Sequence, residues 1–228
     1  MKQIVSKSGL AVALSSLKGF YEPKVRQEQY LMDSEIGAFV LWNAYFIGDI
    51  GSKVIADLGC GTGILGIGAL LLGAKRLFFI DSDEKALKIA KDNVSKIKDF
   101  WDARKSSIFN ILEAKSEDYG LGKAEFICKD VRYINMKADI ALQNPPFGTK
   151  VRHNDILFLE KALKIAPIAY SFHKSETKPF LGKFAAKNNA KITHCWDFKF
   201  PLKATLAFHR RQIHRIDVSC FRLEKLFK

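Results

Sequence analysis

The sequence is poor in the features that mark membrane, secreted or metal-stapled proteins. Its four cysteines, Cys60, Cys128, Cys195 and Cys220, are widely separated and form no Cys-x-x-Cys pair, which argues against a zinc site or a disulfide scaffold. Free thiols in a reducing cytoplasm are the expectation that follows. No apolar run is long enough to span a bilayer, and even Ile64 to Leu72 falls well short. The stretch Met1 to Lys7 carries no apolar signal core, so secretion is not expected. Proline and glycine never gather into a linker, and no internal repeat appears. The 228 residues therefore read as one compact unit.

Negative charge is also scarce. Lys and Arg number 37 against 24 Asp and Glu, a net of +13. The excess is uneven: residues 151–228 hold 16 basic and 6 acidic groups, a net of +10, which leaves +3 for the first 150 residues. The densest run is His209-Arg210-Arg211-Gln212-Ile213-His214-Arg215. A single charge run is usually a solvated face, but an excess over a third of the chain points to a polyanion such as nucleic acid.

Residues 6–20 and 34–47 have helical apolar spacing, the second following the N-cap pair Asp33-Ser34. They form a helical extension over residues 1–48. Residues 49–228 then alternate short apolar strands with helices. Strands are expected at Val54 to Leu58, Leu77 to Ile80, Glu125 to Lys129, Asp139 to Gln143, Ile168 to Phe172, Lys191 to Phe200 and Arg215 to Leu223. Helices are expected at Ile64 to Leu72, Asp83 to Ile97, Ile156 to Ile165 and Thr177 to Asn188. This order predicts an α/β fold, a doubly wound, Rossmann-like sheet of seven strands, mostly parallel. The last two strands have no helix between them and should pair antiparallel at one edge. Residues 98–123 are highly charged with weak periodicity and read as an insertion.

Asp57-Leu58-Gly59-Cys60-Gly61-Thr62-Gly63 leaves a strand and opens a helix, as a nucleotide-binding loop does. Its Gly-x-Gly-x-Gly spacing differs from the dinucleotide pattern, and no Lys-Ser/Thr follows to hold a triphosphate. Asp81 ends the second strand, where a carboxylate can take both ribose hydroxyls, and Asp130 ends the third. Each aspartate alone could be a cap or a turn residue, but three at successive strand ends point to one ligand. These residues resemble the class I S-adenosylmethionine-dependent methyltransferases. The resemblance implies that Asp57, Gly59, Cys60, Gly61 and Gly63 wrap the methionine part of the cofactor, Asp81 holds the ribose, and Asp130 lies by the adenine.

Asn144-Pro145-Pro146-Phe147 follows the fourth strand. Two prolines fix φ and remove two donors, so carbonyl acceptors are held outward; Asn144 adds a side-chain acceptor and Phe147 a flat apolar face. An exocyclic amine on a planar base fits all three features. The tetrapeptide resembles the Asn/Asp-Pro-Pro-aromatic signature of enzymes that methylate planar amino nitrogens. Asn144 and Pro145 would then accept the amine's protons while Phe147 stacks on the base, which must be unpaired or flipped out.

Further segments narrow the resemblance. Gly148-Thr149-Lys150, Tyr170-Ser171-Phe172-His173-Lys174, Gly19-Phe20-Tyr21-Glu22-Pro23-Lys24 and Glu28-Gln29-Tyr30, with the basic C-terminal strands, are similar to the archaeal and eukaryotic methyltransferase-like family that makes N6-methyladenosine in small-subunit ribosomal RNA. That family implies that Gln29 and Tyr30 help close the cofactor site, although Leu31-Met32 stands where it usually has Pro-Thr. It also implies a small zinc-binding activator protein at a sheet edge. Lys150, Lys174, Arg210, Arg211 and Arg215 are the expected RNA contacts. His173 reads as a structural residue. The alternatives are a protein glutamine-amide N-methyltransferase, a DNA adenine enzyme, or a catalytically silent RNA-binding subunit. Phe rather than Tyr at position 147, the lack of an evident recognition domain and the intact aspartates weigh against them in turn.

Overall fold

A computed structural model describes residues 6–21, 30–109, 121–146, 154–202 and 214–226. The elements run α1 (Lys7–Ser15), α2 (Ser34–Ile47), β1 (Val54–Leu58), α3 (Ile64–Leu71), β2 (Arg76–Asp81), α4 (Glu84–Phe109), β3 (Lys123–Cys128), β4 (Ile140–Gln143), α5 (Asn154–Ile165), β5 (Ile168–Lys174), α6 (Lys178–Lys187), β6 (Ala190–Leu202) and β7 (His214–Lys225). The strands form one sheet in the order β3-β2-β1-β4-β5-β7-β6. Strands β3 to β5 pair in parallel, whereas β7 is antiparallel to both β5 and β6.

Period-two alternation sorts each strand between two cores. Ile55, Ile140, Leu142, Tyr170 and Phe172 face one side, covered by α1, α2, α3 and α4. Ala56, Leu58, Ala141, Ala169 and Phe221 face the other, against α5 and α6. The expected seven-stranded architecture with an antiparallel pair is therefore present. The hairpin is not simply appended: its second strand, β7, inserts between β5 and β6, and Val218 to Leu223 are buried there.

The N-terminal helices share a core with the sheet. The Asp33 carboxylate accepts the amides of Glu35 and Ile36 to start α2, and Gly48, at φ 90°, ends it. Leu10, Leu14, Leu41 and Ala44 are buried in the same cluster as Leu65 and Ile67 of α3. Behind α2, Asp49 is almost fully buried and accepts hydrogen bonds from Tyr170 Oη at 2.6 Å and Arg222 Nε at 2.7 Å, which ties the α2–β1 connection to β5 and β7.

The first part of the expected insertion over 98–123 is helical, because the helix expected to end at Ile97 continues as α4 to Phe109. Weak apolar periodicity hid this. Once nucleated, a helix propagates through its backbone, and Lys, Asp, Arg and Ser cost it only tenths of a kcal/mol each, about 0.7 at most. Likewise β4 starts one residue later than expected, because the Asp139 side chain accepts the Val54 amide at 2.8 Å.

Candidate active site

The strand register brings the two motifs together. Leu58 of β1 is paired with Ile80 of β2 on one side and Gln143 of β4 on the other, so Gly59 and Asn144 leave adjacent strands side by side. Asp81 is paired with Cys128, which places Asp130 two residues further along the same rim. This is the C-terminal edge of the parallel strands at the point where strand order reverses, the usual ligand crevice of open α/β sheets.

The glycine loop is shaped by positive φ at Gly59 (65°) and Gly61 (54°), and space is equally restricted there. A Cβ on Gly59 would lie 2.9 Å from the Phe158 ring, and one on Gly61 would lie 2.9 Å from the Phe20 ring. Phe20 follows α1 and Phe158 comes from α5, so two aromatic walls flank the loop. Asp81 supports it from below: Oδ2 accepts the Gly61 amide and Oδ1 the Asp83 amide, each at 2.8 Å. Burial pushes the Asp81 carboxyl up, although those amides oppose the shift.

Asp57 is buried beneath the loop. Its Oδ2 accepts the Gly66 amide at 2.9 Å, while Oδ1 is buried without a hydrogen-bond partner among the described residues. Burial raises its carboxyl to about 7, against the opposing Gly66 amide, and Asp81 adds like-charge repulsion. Cys60 is also buried, and burial followed by the charges of Asp57 and Asp81 pushes its thiol well up, so it stays protonated and offers no nucleophile.

Asn144 holds the other side of the crevice. Its Oδ1 is buried and has no hydrogen-bond partner among the described residues, Pro145 is buried, and Pro146 is partly exposed. Phe147, Lys150, Gln29, Arg210 and Arg211 lie outside the described residues. Tyr30 is half-buried against the core cluster that carries α1 and α2. Asp130 reaches the expected rim, but both of its oxygens are taken by Arg132, with Nη2 to Oδ2 at 2.7 Å and Nε to Oδ1 at 3.0 Å. A cofactor amine there would share an oxygen with that guanidinium. Lys174 ends β5 with Nζ 3.6 Å from Glu176, and Arg215 is exposed on β7.

Sequence reasoning missed three contributors. Phe158 carries no motif, Phe20 lies in the Gly19 to Lys24 segment without a role assigned to it there, and only the fold brings the two rings to the glycines. Asn93 of α4 is fully buried: Nδ2 donates to the carbonyls of Lys18 and Thr62, both at 3.0 Å, and Oδ1 accepts the Lys18 amide at 2.8 Å. It clips the chain after α1 to the glycine loop. A lone Asn inside an amphipathic helix gives no signal of that role.

Comparison with known proteins agrees with this geometry. The family model for ribosomal protein L11 methyltransferase (PrmA) matches residues 47–109, which span the segment from β1 to α4. Curated L11 methyltransferases, such as that of Psychrobacter, are 52% identical over only 48 residues, 21% of the chain. Much longer matches exist. An uncharacterised protein of Methanocaldococcus jannaschii is 36% identical over 98% of this chain and 96% of its own length. The rRNA N(6)-adenosine-methyltransferase METTL5 of Danio rerio is 33% identical over 93% of this chain and 96% of its own. Among solved structures, a candidate RNA methyltransferase of Pyrococcus horikoshii superposes with a TM-score of 0.82 at 37% identity, covering 97% of this chain and 98% of that one.

Proposed function

The chain belongs to the METTL5 family of rRNA N6-adenosine methyltransferases, and from that premise we propose that it transfers a methyl group from S-adenosylmethionine to the N6 amine of an adenosine in small-subunit ribosomal RNA. The observation that carries the reading is the unpaired, buried Oδ1 of Asn144 beside a glycine loop with its own unpaired carboxylate oxygen. Buried acceptors are almost always satisfied, so two orphans in one crevice point to two donors supplied by ligands.

The residues present fit the cofactor. Asp57 offers an unpaired oxygen where a cationic ligand would stabilise its ionised form, Asp81 retains lone pairs for ribose hydroxyls, and the closely walled glycine loop admits a ligand against backbone. When bound, S-adenosylmethionine supplies an electrophilic methyl carried on a sulfonium. Gln29 and Tyr30 close that side of the site in this reading, and Asp130 borders it.

The chain's own part is to prepare a poor nucleophile. The adenine amine lone pair is delocalised into the ring. Asn144 Oδ1 and the Pro145 carbonyl accept its two protons, which raises electron density on nitrogen, and Phe147 stacks on the base to hold it in line. Pro145 and Pro146 keep those acceptors from turning away. The proton leaves late to solvent, so no strong general base is required.

RNA is held by positive charge. Strands β6 and β7 extend four paired residues beyond the Lys174–Val218 pair that ends β5, and their last pair is Leu202 with His214. The stems of the segment bearing Arg210 and Arg211 therefore stand at the same end of the sheet as Asn144, with Arg215 exposed beside them and Lys150 and Lys174 as further phosphate contacts. A small zinc-binding activator would cover the outer edge of β3, whose other edge alone is paired among the described residues and whose Ala124 to Ile127 are half-buried. The enzyme would act in the cytoplasm, and no described helix is long and apolar enough to cross a membrane.

The test is transfer of labelled methyl from S-adenosylmethionine to small-subunit ribosomal RNA, followed by nucleoside analysis. N6-methyladenosine is the expected product. Label on a protein glutamine instead would overturn the RNA assignment.

A further inference from the structure

Beneath the Asn-Pro-Pro segment, four polar side chains connect the strand that enters its loop with the helix that leaves it. Gln143, the last residue of β4 and fully buried, donates from Nε2 to Ser171 Oγ at 2.8 Å. Ser171 Oγ lies 2.6 Å from His173 Nε2, and His173 Nδ1 lies 3.5 Å from Asp155 Oδ2. Ser171 and His173 alternate on one face of β5, the face covered by α5. Asp155 is the second residue of α5. The strand entering the loop that carries Asn144 is thus hydrogen-bonded to β5, and the helix leaving it meets β5 through the 3.5 Å His173–Asp155 contact.

Proton bookkeeping gives the chain a direction. Ser171 Oγ accepts from the Gln143 amide and keeps one proton and a second lone pair, and a relay in this order has it give that proton to His173 Nε2. That nitrogen then carries a lone pair, and the ring proton sits on Nδ1, facing Asp155. Burial pushes the Asp155 carboxyl up, but the His173 interaction and the amides of Ile156 and Asp155 outweigh it, and the group settles below its ordinary value. An Asp-His-Ser array in this order serves hydrolases as a nucleophile. Here Ser171 is fully buried and already accepts from Gln143, so no acyl substrate could reach it.

The backbone does not need this chain to hold the sheet, because Gln143 and Ser171 are already register partners. What the side chains add is a fixed rotamer for the residue immediately before Asn144 and a fixed start for α5. We propose that Asp155, His173, Ser171 and Gln143 form a relay that positions the Asn144-Pro145-Pro146 loop for the incoming amine, with Ser171 and His173 as positioning residues rather than catalytic ones. The proposal rests on the functional reading above, since it gives Asn144 its task.

Ser171→Ala, Asp155→Asn and the double variant test it, by single-turnover methylation of a small-subunit ribosomal RNA transcript and by calorimetric affinity for S-adenosylmethionine. Each single change should slow turnover by about 10-fold, since small misplacements near a reacting centre have effects of this size or larger. Cofactor affinity should stay within about 2-fold of the parent. Because the residues act through one chain, the double variant should also be slower by about 10-fold rather than about 100-fold. Rates that multiply, or turnover that is unchanged while thermal stability falls, would overturn the relay. Nitrogen-15 spectra of the His173 ring in the parent protein give a readout independent of turnover: the expected state is neutral with its proton on Nδ1, and a proton on Nε2 refutes the assignment. If the parent methylates a protein amide and not RNA, the functional reading fails, and the rate ratios on that acceptor still decide the relay.

Discussion

Asp57 makes the stability of this protein depend on pH in a direction opposite to that of most paired carboxylates. It sits in the middle of the sheet, 1% exposed, paired in register with Phe79 and Leu142. Its carboxyl rises from 3.8 to about 7, chiefly through burial. A folded-state value above the unfolded one means that the folded chain binds the proton more tightly. Stability therefore falls as pH rises from about 4 to about 7, and the whole penalty is present above that range. About three pKa units at about 1.4 kcal/mol each give roughly 4 kcal/mol.

Asp57→Asn removes the ionisation and keeps an oxygen for the Gly66 amide. The new amide nitrogen is left unpaired in place of Oδ1, at about 1–3 kcal/mol, but this offset does not vary with pH. Urea unfolding from pH 4.5 to 8.5 should show the variant gaining on the parent as pH rises, by several kcal/mol in total. Carboxylates remote from Asp57 titrate equally in both proteins and cancel, while Asp81, relieved of the like charge in the variant, shifts the difference in the same direction. Saturating S-adenosylmethionine should reduce the fall in the parent alone, because a cation beside Asp57 favours its ionised form. A stability difference that stays flat across this range would refute the account of Asp57 as a buried carboxyl held for a cationic ligand.

Asn144→Ala should abolish methyl transfer while S-adenosylmethionine affinity, read by calorimetry, changes little, since the missing oxygen faces the acceptor. Asn93→Ala releases the chain after α1 from the glycine loop, and cofactor affinity should weaken by about 10-fold, roughly the 1.4 kcal/mol expected for one or two buried hydrogen bonds; an unchanged affinity would show that the clip is purely structural. Asp49→Ala leaves the buried Arg222 with Glu224, at 2.8 Å, as its remaining carboxylate and should lower unfolding free energy by about 3 kcal/mol, the low end for a broken buried pair, against about 1 for Tyr170→Phe. Replacing both Arg210 and Arg211 with Ala should reduce the salt slope of RNA binding by about 1.4, the equivalent of two single-strand phosphate contacts, and an unchanged slope would assign that run to a solvated face.

The fold was legible wherever periodicity and punctuation agreed. β1 has the expected ends, and β2 to β5 differ by a few residues, because apolar runs bounded by Asp or Gly leave little choice. Which hairpin strand would lie outermost was not legible. Both carry alternating apolar residues, and only burial of Val218, Cys220 and Phe221 separates β7 from β6. The site divides in the same way. Motif residues whose chemistry is local, Asp57, Asp81 and Asn144, were visible in the chain, whereas Phe20, Phe158 and Asn93 act at the loop only through tertiary contact. His173 reads as structural in the sequence, and it is buried, yet Asp155 beside it and Gln143 beyond Ser171 come from different elements and could not have been joined to it without the register.

The inserted β7 explains how one small domain can bring RNA to a buried amine acceptor. Were β6 the chain's last strand, the polypeptide would end at the catalytic rim with no return strand to fix it. Because β7 comes back antiparallel, both stems of the connection between them are fixed at that rim and project four residues, about 13 Å, past the end of β5. The basic excess lies in residues 151–228, and its densest run, residues 209–215, starts within this connection and ends on β7. In the proposed function, phosphate attraction and amine recognition would act from one rim, with the first oriented by the hairpin and the second by β4. A base bound at Asn144 in that reading would have its flanking phosphates at the same end of the sheet as Arg215 and the stems of the connection. That coupling accounts for a net charge concentrated in the last third of a chain whose first 150 residues are nearly balanced.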